Sequence, residues 1–272
     1  KSLQTLIECN LGTLLGFQFV ASEHAHPSLD ADPIDTLGID ENGAPVVLKY
    51  KRALNENVVT QGLFYLDWLD DHRDLFEGLV ARISGTGKAS PIYWPARRLV
   101  CIAGDFNRFD RHAALQMQRS IDLITYCQFD IGFLMLSLNT TSIDPQVAVS
   151  GGETAHTATA RLEAAPEVIF DLFQALVHFV KALGDNVQIQ ALTKQFAIRR
   201  MKTFAWASVN PNARNITLYL PVDPEGVALE AGFSRKSRQS DAPARGCLEL
   251  TLREPADLEK AKPLLEACHH RH

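Results

Sequence analysis

At 272 residues, with 46% apolar and 22% charged side chains, the chain has an ordinary globular composition and room for one large domain or two modest ones. Its formal charge of −5 argues against strong non-specific binding to duplex DNA, and no apolar run approaches the ~18 residues that span a membrane. Five cysteines, odd in number and free of CxxC spacing, read as reduced thiols of a cytosolic protein, against a disulfide framework or a zinc site.

In chain order, the helical spacing of Leu3, Leu6, Ile7, Leu11, Leu14 and Leu15 predicts a helix over residues 3–15, stopped by Gly16. Residues 17–23 read as a strand, and residues 24–33 as a polar loop in which His24 and His26 are surface residues. Two strands follow, joined at Glu41-Asn42-Gly43. Asn55 is the expected cap of a helix carrying Val59, Leu63, Leu66 and Leu69 on one face. A second helix runs through Leu75, Leu79 and Val80. Leu99 to Ala103 is a continuous apolar strand suited to burial on both faces. A helix over 110–120 and strands over 121–127 and 131–138 complete an α-β-β-β-α-β order, which predicts a mixed α/β sheet flanked by helices.

Residues 141–160, rich in Thr, Ser, Gly and Ala, form the expected linker between a first domain over 1–140 and a smaller α+β domain over 161–272. The second domain is predicted to hold a helix over 167–183, strands near 194–199, 203–208, 216–220 and 247–252, and a last helix opened by Pro255. His269, His270 and His272 read as a frayed tail. Charge divides unevenly between the halves. Residues 1–150 carry 12 Lys and Arg against 18 Asp and Glu, and residues 151–272 carry 15 against 14.

The hairpin is the most informative segment. A three-residue loop with Gly43 left-handed fits a type I turn followed by a bulge. That register sets Asp40 opposite Ala44 and Asp35 opposite Lys49, and alternation puts Val47, Lys49 and Lys51 on the Asp35 face. Gln61 and Tyr65, four apart on the next helix, are expected to turn toward Lys51.

The stretches IDTLGIDENGAPVVLKYKR and NENVVTQGLFYLDWL resemble the PD-(D/E)xK nuclease motif, and the first half is similar to the C-terminal domain of the endonuclease NucS. The second half, through FAIRRMKTFAWASVNPNARNITLYL and GCLELTLREPADLEKAKPLLEA, resembles a small domain of unknown function. Some members of this two-domain bacterial family carry the label of predicted transport proteins, which nothing in the sequence supports. The resemblance implies a restriction-endonuclease-like fold and Mg²⁺ or Mn²⁺ at the site. It makes Asp35 a metal ligand and Lys51 the catalytic lysine, with Gln61 reaching in from the helix and Glu8 and Glu23 as further ligands. Members show Glu-Tyr-Lys where this chain has Lys49-Tyr50-Lys51, and Lys49 brings an ammonium where a metal needs oxygen.

Three readings follow: a nuclease fold disabled by Lys49, an active endonuclease whose acid is relocated to Glu23 or Glu8, or a silent protein-interaction module whose partner is a second copy of the chain or another protein. DNA or RNA is the expected partner. In the second half, Arg199, Arg200 and Lys202 beside Phe204 and Trp206, with Arg235, Lys236 and Arg238, form the expected nucleic-acid contacts. A phosphate loop is not among the readings, since Gly85-Thr86-Gly87-Lys88 lacks the upstream glycine.

Overall fold

The computed structural model describes residues 2–25, 33–51, 57–84, 92–117, 119–129, 133–142, 157–237 and 247–271. The chain divides into two compact units, Lys1–Pro145 and Gln146–His272. Asn55, residues 85–88, Arg238 and residues 143–156 of the expected linker lie outside the described residues. The ends of that linker are not linker: Thr141 and Ser142 belong to a strand, and Thr157 caps a helix.

The first unit is built on a mixed sheet of β1 (Gln18–His24), β2 (Ile34–Ile39), β3 (Pro45–Lys51), β4 (Arg98–Ala103), β5 (Ile121–Gln128) and β6 (Leu134–Ser142), in spatial order β1-β2-β3-β4-β5-β6. Strands β3, β4 and β5 are parallel, and the remaining neighbours are antiparallel. Parallel neighbours need long crossovers. Helices α3 (Val58–Asp71) and α4 (Arg73–Ser84) supply the first, and α5 (Arg108–Gln116) the second. Strand β4 is buried at every position, as its unbroken apolar run predicts.

Helices α3 and α4 cover the face that carries Leu37, Val47, Leu99 and Cys101, packing Val59, Leu66, Leu69 and Phe76 into one core. Helix α3 comes close because Gly62 has no side chain: a Cβ there would lie 2.4 Å from Leu99 Cδ1. The expected helix over 3–15 is two, α1 (Leu3–Cys9) and α2 (Leu11–Leu15). Asn10 breaks it, its side-chain amide donating to the Leu6 carbonyl at 2.8 Å, and Gly16 ends the second helix at φ 76°.

One buried ion network fastens the hairpin loop to the sheet. Arg98 Nη1 lies 3.1 Å from Asp122 Oδ2 and Nη2 3.6 Å from Asp40 Oδ2, with its guanidinium 4.6 Å from the centre of the Phe17 ring. Asp40 Oδ1 accepts the Asn42 and Ala44 amides at 2.9 and 2.8 Å, an Asx turn that shapes the loop. Burial pushes the Asp40 carboxyl up to about 6, against the lowering pull of Arg98.

The second unit carries an antiparallel sheet in the order β11-β12-β10-β9-β8-β7: β7 (Gln188–Ala191), β8 (Phe196–Arg199), β9 (Thr203–Asn210), β10 (Asn215–Leu220), β11 (Ser234–Lys236) and β12 (Leu248–Leu252). Helices α6 (Ala158–Glu163), α7 (Glu167–Ala182) and α8 (Pro255–Arg271) belong to it. Leu172, Leu176 and Val180 of α7 and Leu258, Ala261 and Leu265 of α8 share a core with Phe204, Leu218 and Leu250 of the sheet. Strands β7 and β11 are too short to show an alternating pattern, and sequence reasoning passed over both. The expected frayed tail is corrected: α8 runs to Arg271, and His269 is buried edge-on against Phe204.

Candidate functional site

Regular pairing of β2 with β3 runs from Ile39–Pro45 to Thr36–Leu48. Gly43 is left-handed at φ 80°, and the Asp40 amide donates to the Ala44 carbonyl at 2.9 Å, so the loop has the three residues expected of it. One further step sets Asp35 against Lys49. There the Asp35 carboxylate takes over from the backbone: Oδ1 accepts Lys49 Nζ and Oδ2 accepts the Tyr50 amide, each at 2.9 Å. Both oxygens are thereby engaged by donors.

Alternation sends Lys49 and Lys51 to the same face. Lys49 Nζ stands 5.3 Å from the centre of the Tyr65 ring, a cation–π distance, and Tyr65 is buried on α3. Gln61, one turn earlier on α3, is exposed to solvent. Lys51 is only 4% exposed, and its Nζ reaches Asp110 Oδ2 at 2.9 Å. Sequence reasoning missed Asp110. Its signal was the spacing Asn107-x-x-Asp110 opening a helix: the two side chains form a capping box at the start of α5. The Asp110 carboxylate thus caps its own helix and neutralises a buried ammonium. Beside Lys49 in the parallel register, Cys101 is fully buried. Burial first, and the Asp110 and Asp122 charges second, push its thiol far up, which leaves it a neutral core residue.

The acids grouped with Asp35 from the sequence, Glu23 and Glu8, do not converge on its carboxylate. Glu8 Oε1 accepts Thr36 Oγ1 at 2.5 Å, Ser22 Oγ at 2.7 Å and Gln4 Nε2 at 3.2 Å. Thr36 follows Asp35 directly, so its side chain leaves the opposite face of the strand. Glu23 Oε1 is held by the same Gln4 amide at 2.9 Å, and the amide also donates to the Asp35 carbonyl at 3.0 Å. Among the described residues no group of three or more His, Cys, Asp and Glu is placed to hold a metal ion. The donor set around Asp35 does not fit a divalent cation, because an ammonium and an amide occupy the carboxylate that would have to ligate it.

In the second unit the expected nucleic-acid surface is largely dismantled. Arg199 is 1% exposed, and Phe204 and Trp206 are interior, so neither ring is open to a base. The cause is packing: β8, which Arg199 ends, is buried at every position, and Phe204 on β9 packs into the core shared with α7 and α8. Arg200 and Lys202 are half-buried in the turn between those strands, where the Arg200 amide donates to the Lys202 carbonyl at 3.0 Å. Arg235 is exposed but paired, with Nη2 2.6 Å from Glu249 Oε1, and Lys236 lies 4.0 Å from Glu225.

Comparison with known proteins finds a family match over part of the chain. Residues 158–269 match a family described as a domain of unknown function, DUF5655. An uncharacterized protein of Haemophilus influenzae is 24% identical over 246 residues, covering 84% of this chain and 80% of its own length. No solved structure matches. Among the described residues no helix is long and apolar enough to cross a membrane.

Proposed function

We propose that the first unit is a nuclease-type scaffold of the PD-(D/E)xK kind that holds nucleic acid without metal-dependent hydrolysis. The observation that carries the reading is the 2.9 Å contact between Lys49 Nζ and Asp35 Oδ1. In a working site of that kind two carboxylates share a metal that activates water and neutralises the phosphate. Here the ammonium of Lys49 meets the one acid left at the pair and supplies the positive charge itself. Lys49 is only 11% exposed and already neutralised by Asp35, and an ammonium cannot generate hydroxide, so hydrolysis is not expected and phosphate contacts fall to cations elsewhere on the unit. Relocation of the acid to Glu8 or Glu23 is disfavoured because both are engaged by Gln4 and Glu8 sits among the Thr36 and Ser22 hydroxyls.

The reading also accounts for the buried Lys51, which keeps its place at the end of β3 but is neutralised by Asp110 instead of facing a nucleophile. With most cations paired internally, binding is expected to be weak and strongest at low salt. The test is paired binding and cleavage with labelled DNA and RNA oligonucleotides. Binding that persists in EDTA, with no hydrolysis in Mg²⁺ or Mn²⁺, supports the reading. Hydrolysis in Mg²⁺ that is lost in Asp35→Asn overturns it.

A further inference from the structure

The first unit is acidic, and two-thirds of its described Lys and Arg residues are paired with acids. Among the described residues of that unit, Lys49, Lys51, Arg73, Arg97, Arg98 and Arg119 each pair with a carboxylate. Arg82, Arg108 and Arg111 are the described exceptions. Two of the three sit three residues apart on α5, on either side of Phe109. That ring is 67% exposed, with the Arg108 guanidinium 4.8 Å from its centre. Helix α5 is not loosely attached: Asp110, the residue after Phe109, turns inward to Lys51 and closes the capping box, while Ala114 is buried. Arg108, Phe109, Arg111 and His112 are therefore exposed on a helix whose first turn is anchored through the Lys51–Asp110 pair.

We propose that this first turn of α5 is a binding surface for single-stranded nucleic acid, with Phe109 stacking on a base and Arg108 and Arg111 meeting flanking phosphates. The proposal rests on the nucleic-acid reading of the first unit and names where the strand lies. At 67% Phe109 is the most exposed of the large hydrophobic side chains among the described residues, so its ring is open to a partner. Two unpaired guanidiniums beside it favour a partner that is anionic and has flat π faces. Asp105, just before the helix, is the nearby acid; its Oδ1 accepts the Phe106 amide at 2.8 Å, and it subtracts one charge from the patch. A duplex hides its base faces in its own stack, so Phe109 selects unpaired strands.

The experiment is fluorescence anisotropy of the full chain with labelled oligothymidylate, oligouridylate and a hairpin duplex, across a salt series. Wild type should bind both single strands and prefer them to the duplex. Phe109→Ala should weaken single-strand binding roughly tenfold, the lower range of one lost base stack. Arg108→Ala with Arg111→Ala should lower the slope of log affinity against log salt by about 1.4, two phosphates' worth for single strands. All three positions are exposed, and unchanged melting temperatures would show that the variants fold. Single-strand binding by wild type that neither variant alters overturns this surface and leaves the scaffold reading standing. Failure of wild type to bind any oligonucleotide overturns both. A Phe109-dependent dimer in sedimentation, with no oligonucleotide binding, assigns the patch to a second copy of the chain instead.

Discussion

Asp35 and Lys49 form a partly buried ion pair across the β2–β3 hairpin, with side chains 16% and 11% exposed and Oδ1 2.9 Å from Nζ. The pair is also structural, because the second oxygen of the same carboxylate holds the Tyr50 amide. Replacing Asp35 with Ala strands both donors. The loss should be about 2–4 kcal/mol of unfolding free energy in urea titration, above the ~1 kcal/mol of an exposed pair. Asp35→Asn keeps an oxygen for the amide and should cost less.

The Lys51–Asp110 pair is more deeply buried on its cationic side, and its effect on stability should be strongly non-additive. Asp110→Asn leaves an ammonium buried without a counter-charge and should destabilise by roughly 3 kcal/mol. Lys51→Met removes the charge at similar volume, and adding it to Asp110→Asn should recover part of the loss. A double-mutant cycle that gives no coupling would mean the two side chains act independently.

Asp40 gives the fold an acid-side preference. Its carboxyl is raised by burial from 3.8 to about 6, so between those values the folded state holds a proton that the unfolded chain has released. Stability from this group is complete below pH 4 and is lost as pH rises through 6, by about 3 kcal/mol in all. Asp40→Asn removes the titration while keeping an acceptor for the Asn42 and Ala44 amides. The difference in unfolding free energy between wild type and Asp40→Asn should therefore drift toward the variant from pH 4 to pH 7. A difference independent of pH would contradict the assignment.

Gly62 tests how closely α3 lies on the sheet. Alanine is the better helix former by ~1 kcal/mol. Yet its Cβ would fall 2.4 and 2.6 Å from the two methyls of Leu99, which is fully buried. Gly62→Ala should destabilise by roughly 1–3 kcal/mol, and Leu99→Val in the same chain should relieve part of it.

Much of the hairpin was legible because its determinants are local. Asn42-Gly43 fixes the loop, the loop fixes the register, and the register alone delivers Asp35 to Lys49. The mixed α/β sheet followed similarly from apolar runs such as Leu99 to Ala103. What the sequence hid were partners distant along the chain. Asp110 reaches Lys51 across 59 positions, and Asp122 reaches Arg98 across 24; the Asn107–Asp110 spacing announces a helix cap but not the pairing with Lys51. The basic run Arg199-Arg200 misled for the converse reason: β8 is buried at every position, and Arg199 at its end is buried with it. Tyr65 and Gln61, four apart on one face of the helix, differ in depth: the Tyr65 ring is buried over Lys49, and Gln61 is exposed.

The central claim is that Lys49 fills the place a divalent cation would need at Asp35. Calorimetric titration of Mn²⁺ into wild type and into Lys49→Glu tests it most directly. Wild type should show no saturable heat attributable to this site, and Lys49→Glu, which returns a second carboxylate to the hairpin pair, should bind one Mn²⁺ and lose it again in the Asp35→Asn background. Stoichiometric Mn²⁺ binding by wild type that is abolished by Asp35→Asn would contradict the account.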